Sequence, residues 1–233
     1  MTLSLVHVQP TTGTVAALTA TGGVAVGGYV HHAWRGIGAC ATQGLATNPW
    51  YPDTLRVVLS DSGSAGQALS QVVSADPGAS RRQCLVMDRQ GRAVVHSGTD
   101  NLPVVAAACR PTVAAAGNML AGSEVIDALL WGFLEQACIN AEAAWREVEP
   151  PHYRDDYEAL LPEMLVAALE AALEVGGDGR GTRSAALRVE SFCAAPIDLR
   201  VDWSETPAAE LRTLIERVRE PTFAGFLASL PLR

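Results

Sequence analysis

Strand-like and helix-like segments come in blocks along this chain, and that order limits its fold more than any other feature. A short apolar run, Leu3 to Val8, is followed by the turn Pro10-Thr11-Thr12-Gly13. A run of small and β-branched residues from Thr14 to Thr21 then completes a predicted hairpin. Order therefore begins at the second residue. The next stretch, 22–28, is rich in glycine, and a further strand is predicted over 37–42, ahead of the Asn48-Pro49 turn. Two helices follow at about 52–62 and 66–75, the second with Ser64 in the N-cap position. Gln83 to Met87 and Arg92 to His96 flank Asp88-Arg89-Gln90-Gly91 as a second hairpin, and 112–116 reads as a short strand with Cys109 on its approach. Val125, Ile126, Leu129, Leu130, Phe133 and Leu134 recur at spacings of three and four. They predict an amphipathic helix running to about Val148 and capped by Ser123. A second long helix takes in Leu161 to Leu173 and stops at Gly176-Gly177. Ser184 to Val189 returns to strand, Pro207 opens another helix, and 223–230 are helical.

Hairpins make a sheet antiparallel, whereas a parallel sheet needs a crossover between each pair of strands. Here the helices come in consecutive pairs, so the pattern suits α+β sheets packed together with helices outside, not a doubly wound fold. No repeat or long linker divides the chain, and residues 1–233 are expected to form a single domain. A chain of this length buries enough apolar surface to fold without a disulfide or structural metal. The five cysteines are odd in number, widely spaced and never C-x-x-C, and are expected to be buried free thiols in a reducing compartment. Neither a secretory signal nor an apolar run of about 18 residues is present, so a cytoplasmic location is expected. A net charge of -8 argues against nucleic acid or an anionic membrane as the main partner. All 17 basic residues are arginine, which excludes Schiff-base, pyridoxal-phosphate and P-loop lysines and any lysine general base.

Several residues have the chemistry of a site. Removal of the initiator Met1, which the small second residue permits, would leave Thr2 at the N-terminus. Its hydroxyl is then a nucleophile with its own α-amine as base, and such an amine titrates at about 8. Many chains begin Met-Thr, and alone the residue reads more readily as an ordinary second position. Ser4 is the nearest internal hydroxyl on the same strand face, because side chains repeat every two residues. Gly117-Asn118 falls between a strand and a helix, where a side-chain amide can donate to a developing oxyanion. A polar turn residue gives the same pattern. The glycine-rich stretch 176–184 runs from helix to strand, whereas dinucleotide and P-loop fingerprints run from strand to helix. Asp178 and Arg180 are therefore pocket candidates or parts of an ordinary loop.

The remaining histidines and aromatics carry weaker signals. His31 and His32 would point to opposite faces of a strand, and no ligand cluster accompanies them, so a surface or pocket-rim role is expected and no metal site. His7 is assigned to the polar side of the first strand, and His96 to a structural hydrogen bond. No Gly-x-Ser-x-Gly elbow is present. Asp155-Asp156 reads as a solvated face, and Trp50-Tyr51 as a pocket mouth or core packing.

A set of short motifs spans nearly the whole chain: Met1-Thr2-Leu3-Ser4-Leu5-Val6, Gly38-Ala39-Cys40-Ala41-Thr42-Gln43, Thr47-Asn48-Pro49 and Asp88-Arg89-Gln90-Gly91-Arg92. His96-Ser97-Gly98, Gly117-Asn118-Met119-Leu120, Gly177-Asp178-Gly179-Arg180-Gly181, Ser184-Ala185-Ala186-Leu187 and Asp198-Leu199-Arg200-Val201-Asp202 follow in order. On these motifs the chain resembles the small bacterial Ntn-hydrolase-superfamily proteins classed as a domain of unknown function. The resemblance implies a four-layer αββα sandwich, two antiparallel sheets flanked by helices. It also implies Thr2 as nucleophile and base, Asn118 as oxyanion donor, and Gln43, Asn48, Asp178 and Ser184 as pocket residues. Gly22-Gly23 stands where bulkier residues are expected and would widen that pocket. Arg183 stands where glutamine is expected, a cation that would favour a carboxylate-bearing substrate. The lysine used by proteasome-like relatives has no counterpart.

The resulting expectation is an amidohydrolase acting on a small amide, peptide-like or cyclic amide substrate, with no metal or organic cofactor. The alternative is a non-catalytic protein that binds a small metabolite or partner in the same pocket. The apolar faces around Phe223, Phe226 and Leu227 suggest a homodimer.

Overall fold

A computed structural model describes residues 2–232. In chain order the strands are β1 (Thr2–Val8), β2 (Val15–Thr21), β3 (His31–Trp34), β4 (Gly38–Gly44), β5 (Arg82–Asp88), β6 (Ala93–Ser97), β7 (Ala106–Arg110), β8 (Val113–Asn118), β9 (Ser184–Glu190) and β10 (Ile197–Val201). The helices are α1 (Tyr51–Ser60), α2 (Ala65–Ala75), α3 (Glu124–Ala137), α4 (Ala141–Trp145), α5 (Leu161–Glu174), α6 (Pro207–Arg219) and α7 (Pro221–Ser229). Six strands form one sheet in the order β10-β9-β2-β1-β8-β7, and four form another, β3-β4-β5-β6. The pairings within both sheets are antiparallel.

Three apolar layers hold four structural layers together. Outside the larger sheet, Leu3, Leu5 and Leu18 meet Leu130, Phe133, Leu165 and Leu169 of α3 and α5. Between the sheets, Val6, Val8, Val15 and Ala17 meet Ala39, Ala41, Leu85 and Met87. Outside the smaller sheet, Cys40, Cys84 and Val86 meet Leu55, Leu59, Leu69 and Val72 of α1 and α2. The architecture is the αββα sandwich. β1 sits at its centre, buried along its whole length. Its apolar residues serve both faces, Leu3 and Leu5 toward α3 and α5 and Val6 and Val8 toward the smaller sheet, while Thr2, Ser4 and His7 are polar residues buried with them.

The structure departs from the sequence reading at the quieter segments. β3, β7 and β10 are absent from that reading, because their residues (His31-His32, an alanine run and alternating charges) carry little strand signal. All three are edge strands. The single helix predicted to reach Val148 is broken after Ala137. Cys138 is extended at φ -109°, ψ 148° and bridges Tyr153, and the Ile139 N–H donates to the His152 carbonyl at 2.9 Å. Ser123 does not cap α3: its own backbone is helical and its side chain makes no cap bond. Ser64 caps α2 as predicted, in a capping box with Gln67. Only Cys40, Cys84 and Cys138 are buried, while Cys109 and Cys193 are exposed. Among the described residues no helix is long and apolar enough to cross a membrane.

Candidate functional site

The antiparallel register places four polar side chains in one row across the end of the larger sheet. Ser184 pairs with Thr21, Thr21 with Thr2, and Thr2 with Asn118. All four are buried, Thr2 the least so at 8% exposed. Thr2 and Ser4 share the strand face that continues into Val6 and Val8, so they look toward the smaller sheet. The Thr2 and Thr21 hydroxyls lie 3.4 Å apart, a long contact that leaves the Thr2 oxygen loosely held. Met1, whose removal would free the Thr2 amine, lies outside the described residues.

Two amides, Gln43 and Gln83, reach this row from the opposite sheet. Ser4 Oγ lies 2.7 Å from Gln43 Oε1 and 2.9 Å from Thr19 Oγ1. Gln43 Nε2 donates to Gln83 Oε1 at 2.7 Å and to the Ala116 carbonyl at 3.1 Å. Gln83 Oε1 also accepts from Asn118 Nδ2 at 3.0 Å, while its own Nε2 donates to the Gly117 carbonyl and to Ser97, both at 3.0 Å. Gln43 and Gln83 thus stitch the two sheets together directly beneath the Thr2 row. Gln83 was missed in the sequence reading. Its sequence signal was a glutamine directly preceding the apolar stretch Cys84 to Met87, and the structure sets it opposite Gln43.

Asn118 keeps spare capacity. Among the described residues one Nδ2 proton goes to Gln83, the second has no acceptor, and Oδ1 is buried without a partner. Ser184 is spent on its own loop, donating to the Gly23 carbonyl at 2.8 Å and accepting from the Val26 N–H at 3.3 Å. Asp178 is buried at the same end of the sheet. It accepts from the Gly22 N–H, from the Arg180 N–H at 2.8 Å and from the Arg180 guanidinium at 3.2 Å.

Four expectations need correction. Asn48 does not join this cluster: its Nδ2 donates to Asp76 at 3.1 Å, alongside Tyr51 and Arg82. Those donors, Arg82 first, hold the Asp76 carboxyl far below the usual carboxylate range. Gly22 does not widen the pocket. A Cβ there would lie 2.7 Å from the Gly181 carbonyl and 2.8 Å from Asp178, so glycine is what lets these loops meet. Arg183 is not a free cation, since it is ion-paired with Glu205. His7 is not on a polar face but fully buried among Phe133, Tyr153 and Tyr157, with Nδ1 2.8 Å from the Thr112 carbonyl. Burial pushes its pKa down to about 4. His96 is structural, 2.9 Å from the Ala79 carbonyl.

The arrangement is hydroxyl-rich and amide-rich, with no imidazole among these partners. Among the described residues no group of three His, Cys, Asp or Glu side chains is placed to hold a metal ion.

A family of unknown function, DUF1028, matches the chain over residues 2–211. The crystal structure of a protein of that family from Silicibacter pomeroyi superposes with a TM-score of 0.82 at 27% identity, covering 99% of this chain and 95% of the other. No curated protein matches the sequence.

Proposed function

Given that the chain belongs to the family of unknown function DUF1028, we propose that it is an N-terminal-nucleophile amide hydrolase working through Thr2 once Met1 is removed. The observation that carries this reading is the pairing of Thr2 with Asn118, a buried amide that retains an unused N–H.

In the proposed reaction the Thr2 hydroxyl oxygen attacks the amide carbonyl carbon, and its proton passes to the Thr2 α-amine. The carbonyl oxygen becomes an oxyanion, which the spare Asn118 N–H stabilises. The α-ammonium then protonates the amide nitrogen, the C–N bond breaks, and an ester remains on Thr2. Water attacks that ester, giving its proton to the amine, and the carboxylic acid leaves with the threonine restored. An α-amine with a pKa of about 8 is suited to both transfers. Gln43 and Gln83 hold the row in place. The substrate class is a small amide, peptide-like or cyclic amide, in a cytoplasmic setting.

The alternative is a binding protein without turnover. It is favoured by the commitment of Ser184 and Asp178 to loop contacts, which leaves few groups to grip a substrate. Helix α7 buries none of its residues, and Phe223 and Phe226 are about half exposed, which supports a homodimer testable by light scattering.

Intact mass and an amide-hydrolysis panel test the proposal together. A mass short by one methionine, activity on at least one amide, loss of that activity in Thr2→Ala and its retention in Thr2→Ser are expected. Hydrolysis that survives in Thr2→Ala would refute the mechanism, and a full-length mass with no turnover would favour the binding reading.

A further inference from the structure

A cavity of about 570 Å³ opens where edge strand β3 of the smaller sheet meets β9 and β10 of the larger one. It shares no residue with the Thr2 row. Its charged lining is Arg35, Arg56, Arg188 and Arg200 against Glu190 and Asp198. A protein with a net charge of -8 has thus gathered four of its arginines around one hollow.

The pairings show which cations are available. Arg188 spans both acids, within 3.0 Å of Glu190 and 2.8 Å of Asp198. Arg35 directs its guanidinium to the Ser191 carbonyl and the Phe192 ring. Arg200 has only a distant contact, 3.8 Å from Asp202, and Arg56 has no ion pair among the described residues. Arg200 is also given room. A Cβ on Gly27 would fall 2.8 Å from its Nε, and one on Gly28 3.2 Å from its Nη2.

The independent sign of a ligand is His31. It lines the cavity, is 6% exposed, and neither ring nitrogen has a partner among the described residues. Nε2 of His32 beside it is likewise buried and unpartnered. Burial first, then His32, Arg188 and Arg200, push the His31 pKa down to about 3, so the ring is neutral and presents one N–H. A buried donor without an acceptor is costly and uncommon. A metal ion would satisfy the imidazoles but would be repelled by the guanidiniums. An oxyanion satisfies both, since guanidinium edges match carboxylate and phosphoryl oxygens.

We propose that this cavity is a binding site for a small anion bearing carboxylate or phosphoryl oxygens, with Arg56 and Arg200 as its charge partners and His31 as a neutral donor. The proposal is independent of the hydrolase reading.

Calorimetric titration of the full-length protein with inorganic phosphate and with malonate, at low ionic strength and neutral pH, tests it. One-to-one binding of at least one probe is expected, and the tighter probe identifies the oxygen chemistry. Arg56→Gln and Arg200→Gln should each weaken binding about tenfold or more, and Thr2→Ala should leave it unchanged. Arg56 is exposed on α1, so its variant keeps the test valid even if Arg200→Gln does not fold. Absence of binding by both probes, or binding undiminished in Arg56→Gln, would overturn the proposal.

Discussion

Replacing Gln83 with leucine removes the amide on which the facing sheets converge while keeping most of its volume. Gln83 is fully buried. Its Oε1 accepts from both Gln43 and Asn118, and its Nε2 donates to Gly117 and Ser97. Gln43 retains the Ala116 carbonyl, at 3.1 Å, so its loss is partial. Asn118 is worse placed: Gln83 is its side chain's partner, and its Oδ1 already lacks one. Stranding a buried donor costs about 1–3 kcal/mol, and one complete loss plus a partial one of about half that size gives about 1.5–4.5 kcal/mol. Ser97→Ala, which removes one bond at an exposed residue, should cost within about 0.5 kcal/mol. Urea unfolding followed by tryptophan fluorescence measures both, with an unchanged denaturant slope confirming that the same transition is compared. A Gln83→Leu loss below about 1 kcal/mol would refute the claim that this amide network ties the sheets together.

Acid should destabilise the fold well before its carboxylates protonate. His7 is held neutral with its pKa near 4, so the unfolded chain, with histidine near 6.5, binds the proton first. Stability is therefore complete above about pH 6.5 and falls as the pH drops toward 4, by roughly 2 kcal/mol at pH 5 from this residue. His31 adds a loss of the same sign. Urea titrations at pH 7.5 and 5.0, with no multivalent anion added, should show this loss, and equal midpoints would contradict it. A thiol-reactive chromophore should modify Cys193 and Cys109 in the native protein and the other three cysteines only on unfolding. Burial raises the Cys40, Cys84 and Cys138 pKa values as well as shielding their sulfurs. Rapid native reaction at five sites would contradict the burial.

The sequence by itself determined the elements whose own residues pay their folding cost: the first hairpin, the β5–β6 hairpin, the capped α2 and the apolar stripes of α3 and α5. Their periodicity and turn residues act over a few neighbours, so local reading suffices. From the order of those elements followed the layered α+β class. The position of Thr2 at the head of the first strand was legible as well, because the apolar run that follows it marks that strand.

Tertiary structure decided the rest. β3, β7 and β10 are strands because a neighbour's edge needed pairing, not because of their own residues. Helix α3 ends at Ala137 because residues 152–153 draw the next backbone groups into a bridge, although its apolar periodicity continues. Asn48 and Asn118 look alike in sequence, each a polar residue at a turn. Only the register of β8 against β1 brings Asn118 to Thr2, and only the position of Asp76 draws Asn48 away. The arginines of the β3–β9–β10 cavity lie between residues 35 and 200 of the chain, and no local pattern joins them. Their convergence is a property of two sheet edges meeting, a long-range fact that no window of sequence contains.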